Sequence, residues 1–312
     1  MPTDDSASVV EATASARPGG RRRARPNGPS KWMAAPALIL FGFFAIVPLF
    51  GVAALSFVEW DGIGEISWAG LDNWKEAAGD PVSRNALWLT LKLTFLCVLF
   101  QAPVSLLLGV FLAGRQRYRA LLATLFFLPL LFSSAAVAIT FTALLDPNFG
   151  AGTALDADWL SQNWLGDPEL ALYVVVFVIG WCFIPFHTLI YQAGTRQIPR
   201  EIYEAARMDG AGTVAQFFMI TLPMLKYTIV TSTTLLIVGS LTYFDLIFVL
   251  TGGGPGNATR VLPLDMYLTG FRSHDMGKAS VLALVLVIVG LAVSLGLNKI
   301  TGASRMDSRS EA

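Results

Sequence analysis

Six windows of the chain are long and apolar enough to cross a bilayer, and that constrains the fold more than any other feature: approximately Ala34 to Phe57, Leu87 to Ala113, Leu121 to Leu145, Leu170 to Ala193, Thr228 to Leu250 and Ala279 to Leu297. A helix needs about 20 apolar residues to span the hydrocarbon, because each residue rises about 1.5 Å and every backbone polar group must be satisfied within the segment. With 54% hydrophobic and 14% charged residues, a soluble fold would leave too much apolar surface in water. The expectation is an all-α membrane protein of six transmembrane helices. Pro48, Pro103, Pro129 and Pro185 fall inside four of the windows and predict kinks there.

Residues 1–33 are rich in Ser, Ala, Pro, Gly and Arg and read as a disordered basic tail, with a membrane-spanning block over 34–298 and a second tail over 299–312. The apolar run behind the basic end is longer than the roughly 7–15 residues of a signal-peptide core, so an uncleaved first span is expected. Lysine and arginine alternate between connections. The tail holds Arg21, Arg22, Arg23, Arg25 and Lys31, whereas the next loop is acidic, with Glu59, Asp61, Glu65, Asp72, Glu76 and Asp80. Arg115, Arg117 and Arg119 follow span two; Asp146 to Glu169 holds no Lys or Arg; Arg196, Arg200, Arg207 and Lys226 follow span four; Lys299, Arg305 and Arg309 end the chain. Both termini and the loops after spans two and four are therefore predicted cytoplasmic. The loop Thr251 to Lys278, with Arg260, Arg272 and Lys278, fits less cleanly. Trp60, Trp68, Trp74, Trp159 and Trp164 lie in outer loops, where interface anchors are expected.

The connection over 195–226 carries helix signals of its own. Pro199 suits a first helical residue, Glu201 and Glu204 lie near the helix start and Arg207 near its end, and Gly210 stops it. Thr213 and Gln216 are spaced as a capping box for a second short helix, expected to stop by Pro223. Phe217, Phe218 and Met219 need cover from water, which either a docked partner or the membrane surface supplies.

The residues Glu204-Ala205-Ala206, Asp209-Gly210-Ala211, then Phe217, Ile220, Leu222 and Pro223 resemble the EAA loop of permease subunits of binding-protein-dependent ATP-binding-cassette importers. The segment Phe244-Asp245 through Gly253-Gly254-Pro255 is similar to the end of span five in carbohydrate-importer permeases of the maltose and glycerol-phosphate type. The resemblance implies a cytoplasmic helical coupling loop between spans four and five, with Glu204, Ala205, Ala206, Asp209, Gly210, Phe217 and Pro223 as its contacts to a dimeric cytoplasmic ATPase. It also implies a second homologous permease subunit and an extracytoplasmic solute-binding protein, in a prokaryotic cell membrane. ATP is then used by the partner, and this chain holds no cofactor.

For the solute path, span four offers Ile179, Cys182, Phe183 and Phe186, and span five offers Leu236, Gly239, Ser240 and Tyr243, both at i, i+3, i+4, i+7 and so each on one stripe. Helix packing accounts for the same stripes. Maltose-type permeases place sugar contacts at positions matching these, although asparagines of that pattern are replaced here by Ile179, Thr242 and Tyr243, so a solute other than a sugar stays open. Lys92, His187 and Asp245 are the ionisable residues in or near spans. Gly277-Lys278-Ala279 lacks the pattern of a phosphate loop, and two histidines with unpaired Cys97 and Cys182 offer little for catalysis, a zinc site or a disulfide, so neither an enzyme nor a nucleotide or nucleic-acid binder is expected. A secondary transporter is the remaining rival, yet no repeated halves are visible.

Overall fold

The computed structural model describes residues 31–114 and 117–301. Arg21 to Arg25, Arg115, Arg305 and Arg309, on which part of the charge argument rests, lie outside them, as do nearly all of both predicted tails. The chain divides into a unit ending at Leu49 and a second beginning at Phe50. The described residues of the first, 31–49, are helical, with a π-helical stretch at Gly42–Ile46 just ahead of Pro48. Both units contribute residues to the candidate span α1 (Trp32–Leu55).

Three further unbroken helices are long and apolar enough to span: α3 (Pro81–Leu112), α6 (Ala171–Arg196) and the run Met276–Leu297 within α12 (Met276–Thr301). Two more windows pass only as bent pairs, 98° between Tyr118–Leu131 and Ser134–Leu144 and 70° between Thr213–Met224 and Lys226–Ser240. The protein thus has four candidate spans among the described residues, or six if each bent pair is one.

The first of these breaks has a local cause. α4 (Arg117–Phe127) runs into a 3-10 turn containing Pro129, Phe132 turns extended, and Ser133 restarts the chain as a helix by accepting the Ala136 N–H at 3.2 Å, opening α5 (Ser134–Leu144). The continuous window expected over 121–145 is therefore two helices. The window expected over 228–250 also divides, into α9 (Lys226–Ser240) and α10 (Asp245–Leu250). Ser240 Oγ donates to Ile237 O and Thr242 Oγ1 to Gly239 O, so hydroxyls compete for the last carbonyls of α9. Asp245 then begins α10, where a carboxylate favours the positive helix end. Hydropathy averages over such hydroxyls and does not register them. Pro103 and Pro185, by contrast, sit inside unbroken helices.

The core is built on α3 against α6. At Gly109 a Cβ would lie 2.5 Å from Tyr191 Cβ and 2.9 Å from Thr188 O, so the two backbones approach as small-residue membrane interfaces do. Ser105 Oγ donates to Ile184 O at 3.3 Å and Gln192 Nε2 to Leu112 O at 2.8 Å, fixing the register of the pair. Leu93, Cys97, Val175, Val178, Ile179, Leu236 and Ile247 fill the interior around it.

The fold departs from all-helical at one hairpin, β1 (Val58–Glu59) with β2 (Ser67–Trp68), antiparallel with Val58 opposite Trp68. Asn73 of α2 (Asp72–Gly79) braces it by donating to Ser56 O and Val58 O. Trp68 and Trp159 are 77% and 67% exposed, as anchors are. Trp74 and Trp164 are instead packing residues: Trp74 Nε1 donates to Ser56 Oγ and Trp164 Nε1 to Leu160 O, both rings against apolar clusters. Two of the three loop cations that clouded the charge count are paired. Arg260 binds Asp265 at 2.7 Å, with Asp265 1% exposed, and Lys278 reaches Glu76 at 3.0 Å and Asp80 at 3.1 Å.

Candidate functional site: the elbow after α6 and the α6–α9 face

Beyond α6 the chain forms a helical elbow, α7 (Arg200–Met208) followed by α8 (Thr213–Met224). Pro199 is the residue before α7 rather than its first, Glu201 sits in the first turn and Arg207 in the last, both favourable to the helix dipole. The end of α7 is closed by two bonds, Gly210 N–H to Arg207 O at 3.0 Å and Ala211 N–H to Ala206 O at 2.8 Å, with Gly210 at φ +82°. This is a Schellman closure, and it needs a left-handed residue at position 210. A Cβ on Gly210 would meet nothing within 4 Å, so backbone conformation alone accounts for the glycine within this chain.

The capping box expected of Thr213 and Gln216 does not form. Gly212 is the N-cap, without a side-chain bond, Thr213 is the first helical residue, and buried Gln216 donates Nε2 to Ala211 O at 2.7 Å. The amide thereby staples the elbow to its own second helix. Tyr203 and Thr221 share a hydroxyl bond of 2.8 Å that ties α7 to α8. α8 widens into a π-helical turn at Phe217–Thr221 and runs past Pro223 to Met224, one residue beyond the expected stop. Pro223 has no N–H to give the carbonyl four residues back, which removes one tie to ordinary α geometry there.

The elbow is braced within and uncovered without. Glu204, Ala205, Asp209, Gly210 and Pro223 are exposed, Ala206 and Phe217 half-buried. Met208 is 89% exposed and Met219 76%, beside Val214 and Phe218. A protein carrying this much bare apolar surface on a rigid elbow has prepared it for contact.

The two proposed stripes touch where the Phe183 and Tyr243 rings lie 5.1 Å apart. Ile179, Cys182 and Leu236 are buried in the core, and Ser240 is buried with its hydroxyl turned to its own helix. Phe186 is half-exposed against His187, and a Cβ on Gly239 would meet open space. Because α9 ends at Ser240, Tyr243 stands in the break and not on a helical stripe with Leu236, Gly239 and Ser240, which corrects the spacing argument. Sequence reasoning also missed the partner of His187, whose Nδ1 shares a 2.9 Å bond with Ser232 Oγ across α6 and α9. Lys92 lies over the Tyr173 ring at 5.6 Å, and Asp245 is exposed. Gln101, fully buried on α3, went unnoticed because a lone amide in an apolar window carries no pattern.

The chain is similar to known proteins over more than four fifths of its length. It is 34% identical over 267 residues to the probable ABC transporter permease protein YurN of Bacillus subtilis, covering 83% of this chain and 91% of that one. It is 32% identical over 273 residues to the arabinooligosaccharides transport system permease protein AraP of the same organism, covering 86% and 87%. In fold it matches a chain in the crystal structure of a bacterial alginate ABC transporter in complex with an alginate pentasaccharide-bound periplasmic protein, with a TM-score of 0.76 at 24% identity, over 86% of this chain and 92% of that one. The family described as binding-protein-dependent transport system inner membrane component matches residues 105–301, which include the elbow and both stripes, and the chain belongs to that family.

Proposed function

We propose that this chain is the permease subunit of an ATP-driven importer of a sugar or sugar-like solute, that it forms part of the translocation path, and that the 195–226 elbow couples that path to a separate cytoplasmic ATPase. The carrying observation is the elbow itself: internally stapled by Tyr203–Thr221 and Gln216–Ala211, yet exposing Glu204, Gly210, Met208 and Met219. A surface that is rigid and bare transmits force to whatever covers it.

In this reading the pair Tyr118–Leu131 and Ser134–Leu144 is one span and α9 with α10 is another, giving six with the four unbroken ones, with a tail over 1–33, the permease block over 34–298 and a tail over 299–312. Both termini are cytoplasmic. The named relative that serves arabinooligosaccharides supports the sugar class. Phe183, Phe186, Gly239 and Tyr243 are the pathway residues with surface to offer a solute, and aromatic faces suit the apolar side of a sugar ring. Ile179, Cys182, Leu236 and Ser240 then act by holding those groups in place. A second permease chain, an ATPase dimer and an extracytoplasmic binding protein complete the assembly; this chain catalyses nothing and binds no nucleotide.

The test is co-purification in detergent of the co-expressed ATPase with wild type, Glu204→Lys and Gly210→Asp. Loss of the ATPase in both variants, with the chain still folded, supports the coupling role. Retention in both refutes it.

A further inference from the structure

A second feature borders the elbow. A cavity of about 1010 Å³ opens between the end of α3, the end of α6 and the α7–α8 pair, and four arginines line it: Arg119, Arg196, Arg200 and Arg207. The wall holds one carboxylate, Glu204, so the lining carries three net positive charges. Arg119 is spoken for, since its guanidinium donates to Phe111 O and lies 4.4 Å from the Phe111 ring centre. Arg196, Arg200 and Arg207 have no carboxylate within ion-pair distance among the described residues. Three unpaired guanidinium forks around one cavity repel one another and are built for an anion with several acceptor oxygens.

The rest of the wall mixes the polar Thr195, Tyr203, Thr213, Gln216 and Thr221 with an apolar strip. Leu107 and Val110 come from the last turns of the α3 span, and Phe217 and Phe218 from α8, with Phe218 60% exposed. The cavity therefore sits where two candidate spans, α3 and α6, reach their ends, with a cationic rim beside a greasy wall. We propose that it is a binding site for an anionic phospholipid, the phosphate held by Arg196, Arg200 and Arg207 and the upper acyl chain laid along Leu107, Val110, Phe217 and Phe218. Basic pockets between spans at the cytoplasmic face recognise such headgroups. A free phosphate would use the arginines but leave the apolar wall wet, and an acidic segment of a partner protein would have no use for the side chains of span ends. The site shares Glu204 and Phe217 with the surface proposed for the ATPase, so lipid retention and ATPase co-purification are read separately. It does place a lipid against Phe217 and Glu204, where its presence sets the angle of α8.

The experiment is native mass spectrometry of the full chain in detergent, loaded from equimolar phosphatidylglycerol and phosphatidylcholine. The wild type retains phosphatidylglycerol in preference. Each arginine near a membrane surface contributes roughly fivefold to anionic-lipid affinity, so Arg196→Gln lowers retention about fivefold and Arg196→Gln with Arg200→Gln about 25-fold. Arg200→Gln alone, at an exposed position, covers the case in which the double variant does not fold. Equal retention of the two lipids, or undiminished phosphatidylglycerol in folded variants, overturns the assignment. Displacement of the lipid by millimolar glycerol phosphate lacking acyl chains overturns the lipid source in favour of a soluble phosphate. Loss of ATPase co-purification in the double variant with lipid retention unchanged assigns the arginines to the partner instead.

Discussion

Gly210 separates two explanations of why the elbow carries a glycine. In this chain its φ of +82° is required by the Schellman closure, and nothing lies within 4 Å of where a Cβ would be. An alanine at 210 would thus meet no clash and suffer only the left-handed penalty, about 1–2 kcal/mol. If the closed elbow is the form that the ATPase recognises, that strain weakens ATPase binding by at most roughly 5–30-fold, the limit in which all of it falls on the binding-competent state. Asparagine adopts the left-handed region far more readily than alanine. Gly210→Asn is therefore expected to bind the ATPase more tightly than Gly210→Ala and close to wild type. The assay is titration of the purified ATPase onto the full chain in nanodiscs, with circular dichroism confirming equal helicity. The reasoning is refuted if Asn and Ala lose affinity equally, because a side chain of either kind would then be excluded by the partner and backbone conformation would not be the cause.

Other perturbations read other parts of the fold. Gly109→Ala pushes a Cβ against the Tyr191 side chain and the Thr188 backbone, which cannot move aside, so a loss of about 1–3 kcal/mol or more and poor yield of folded protein are expected, whereas Gly239→Ala should leave thermal stability unchanged while altering uptake. Asp265→Ala strands a guanidinium that the buried carboxylate now neutralises; such breaks cost about 3–5 kcal/mol, and a thermal-shift assay in detergent should register it, an unchanged midpoint counting against the pair. Burial pushes the Asp80 carboxyl up, but the Val82 N–H, Lys278 and the Ser83 hydroxyl more than offset it and hold it below the usual carboxylate value. Its contribution is therefore complete above the unfolded value of about 3.9 and lost as pH falls through the lower folded value. Asp80→Asn should be less stable than wild type at neutral pH and equal to it once both are acidified; a gap that persists in acid contradicts the linkage.

What the sequence made legible was whatever repeats or averages. Twenty apolar residues in a row leave little alternative to a membrane helix, and α3 and α6 lie where the windows put them even through Pro103 and Pro185. The elbow was legible for another reason: Pro199, Gly210 and the acid-to-base order along α7 are local signals that act over one or two turns. The breaks were not legible, because Ser133 as an N-cap and Ser240 and Thr242 as carbonyl competitors are single hydroxyls that a hydropathy window counts as mildly polar noise. The capping box failed since Gly212 took the cap and Gln216 found Ala211 O, a choice between two nearby carbonyl and amide partners that spacing does not rank.

The pathway stripes show where periodicity stops being evidence. Leu236, Gly239, Ser240 and Tyr243 share one face only if the helix continues, and α9 ends at Ser240. Ending there frees Tyr243 from the helical lattice and brings its ring to Phe183, while Thr242 and Asp245 turn outward on either side of it. A ring held in a break moves with two helices rather than one. The angle between α9 and α10 can then change without breaking a ladder of backbone bonds, and the Phe183–Tyr243 contact, beside the His187–Ser232 bond, is where such a change reaches α6. From there α6 runs on as one helix, with Pro185 inside it, to Arg196 and the elbow, so a single helix joins the aromatic pair to the surface proposed for the ATPase. That continuity, rather than any side chain along it, gives a motion at one end a mechanical route to the other.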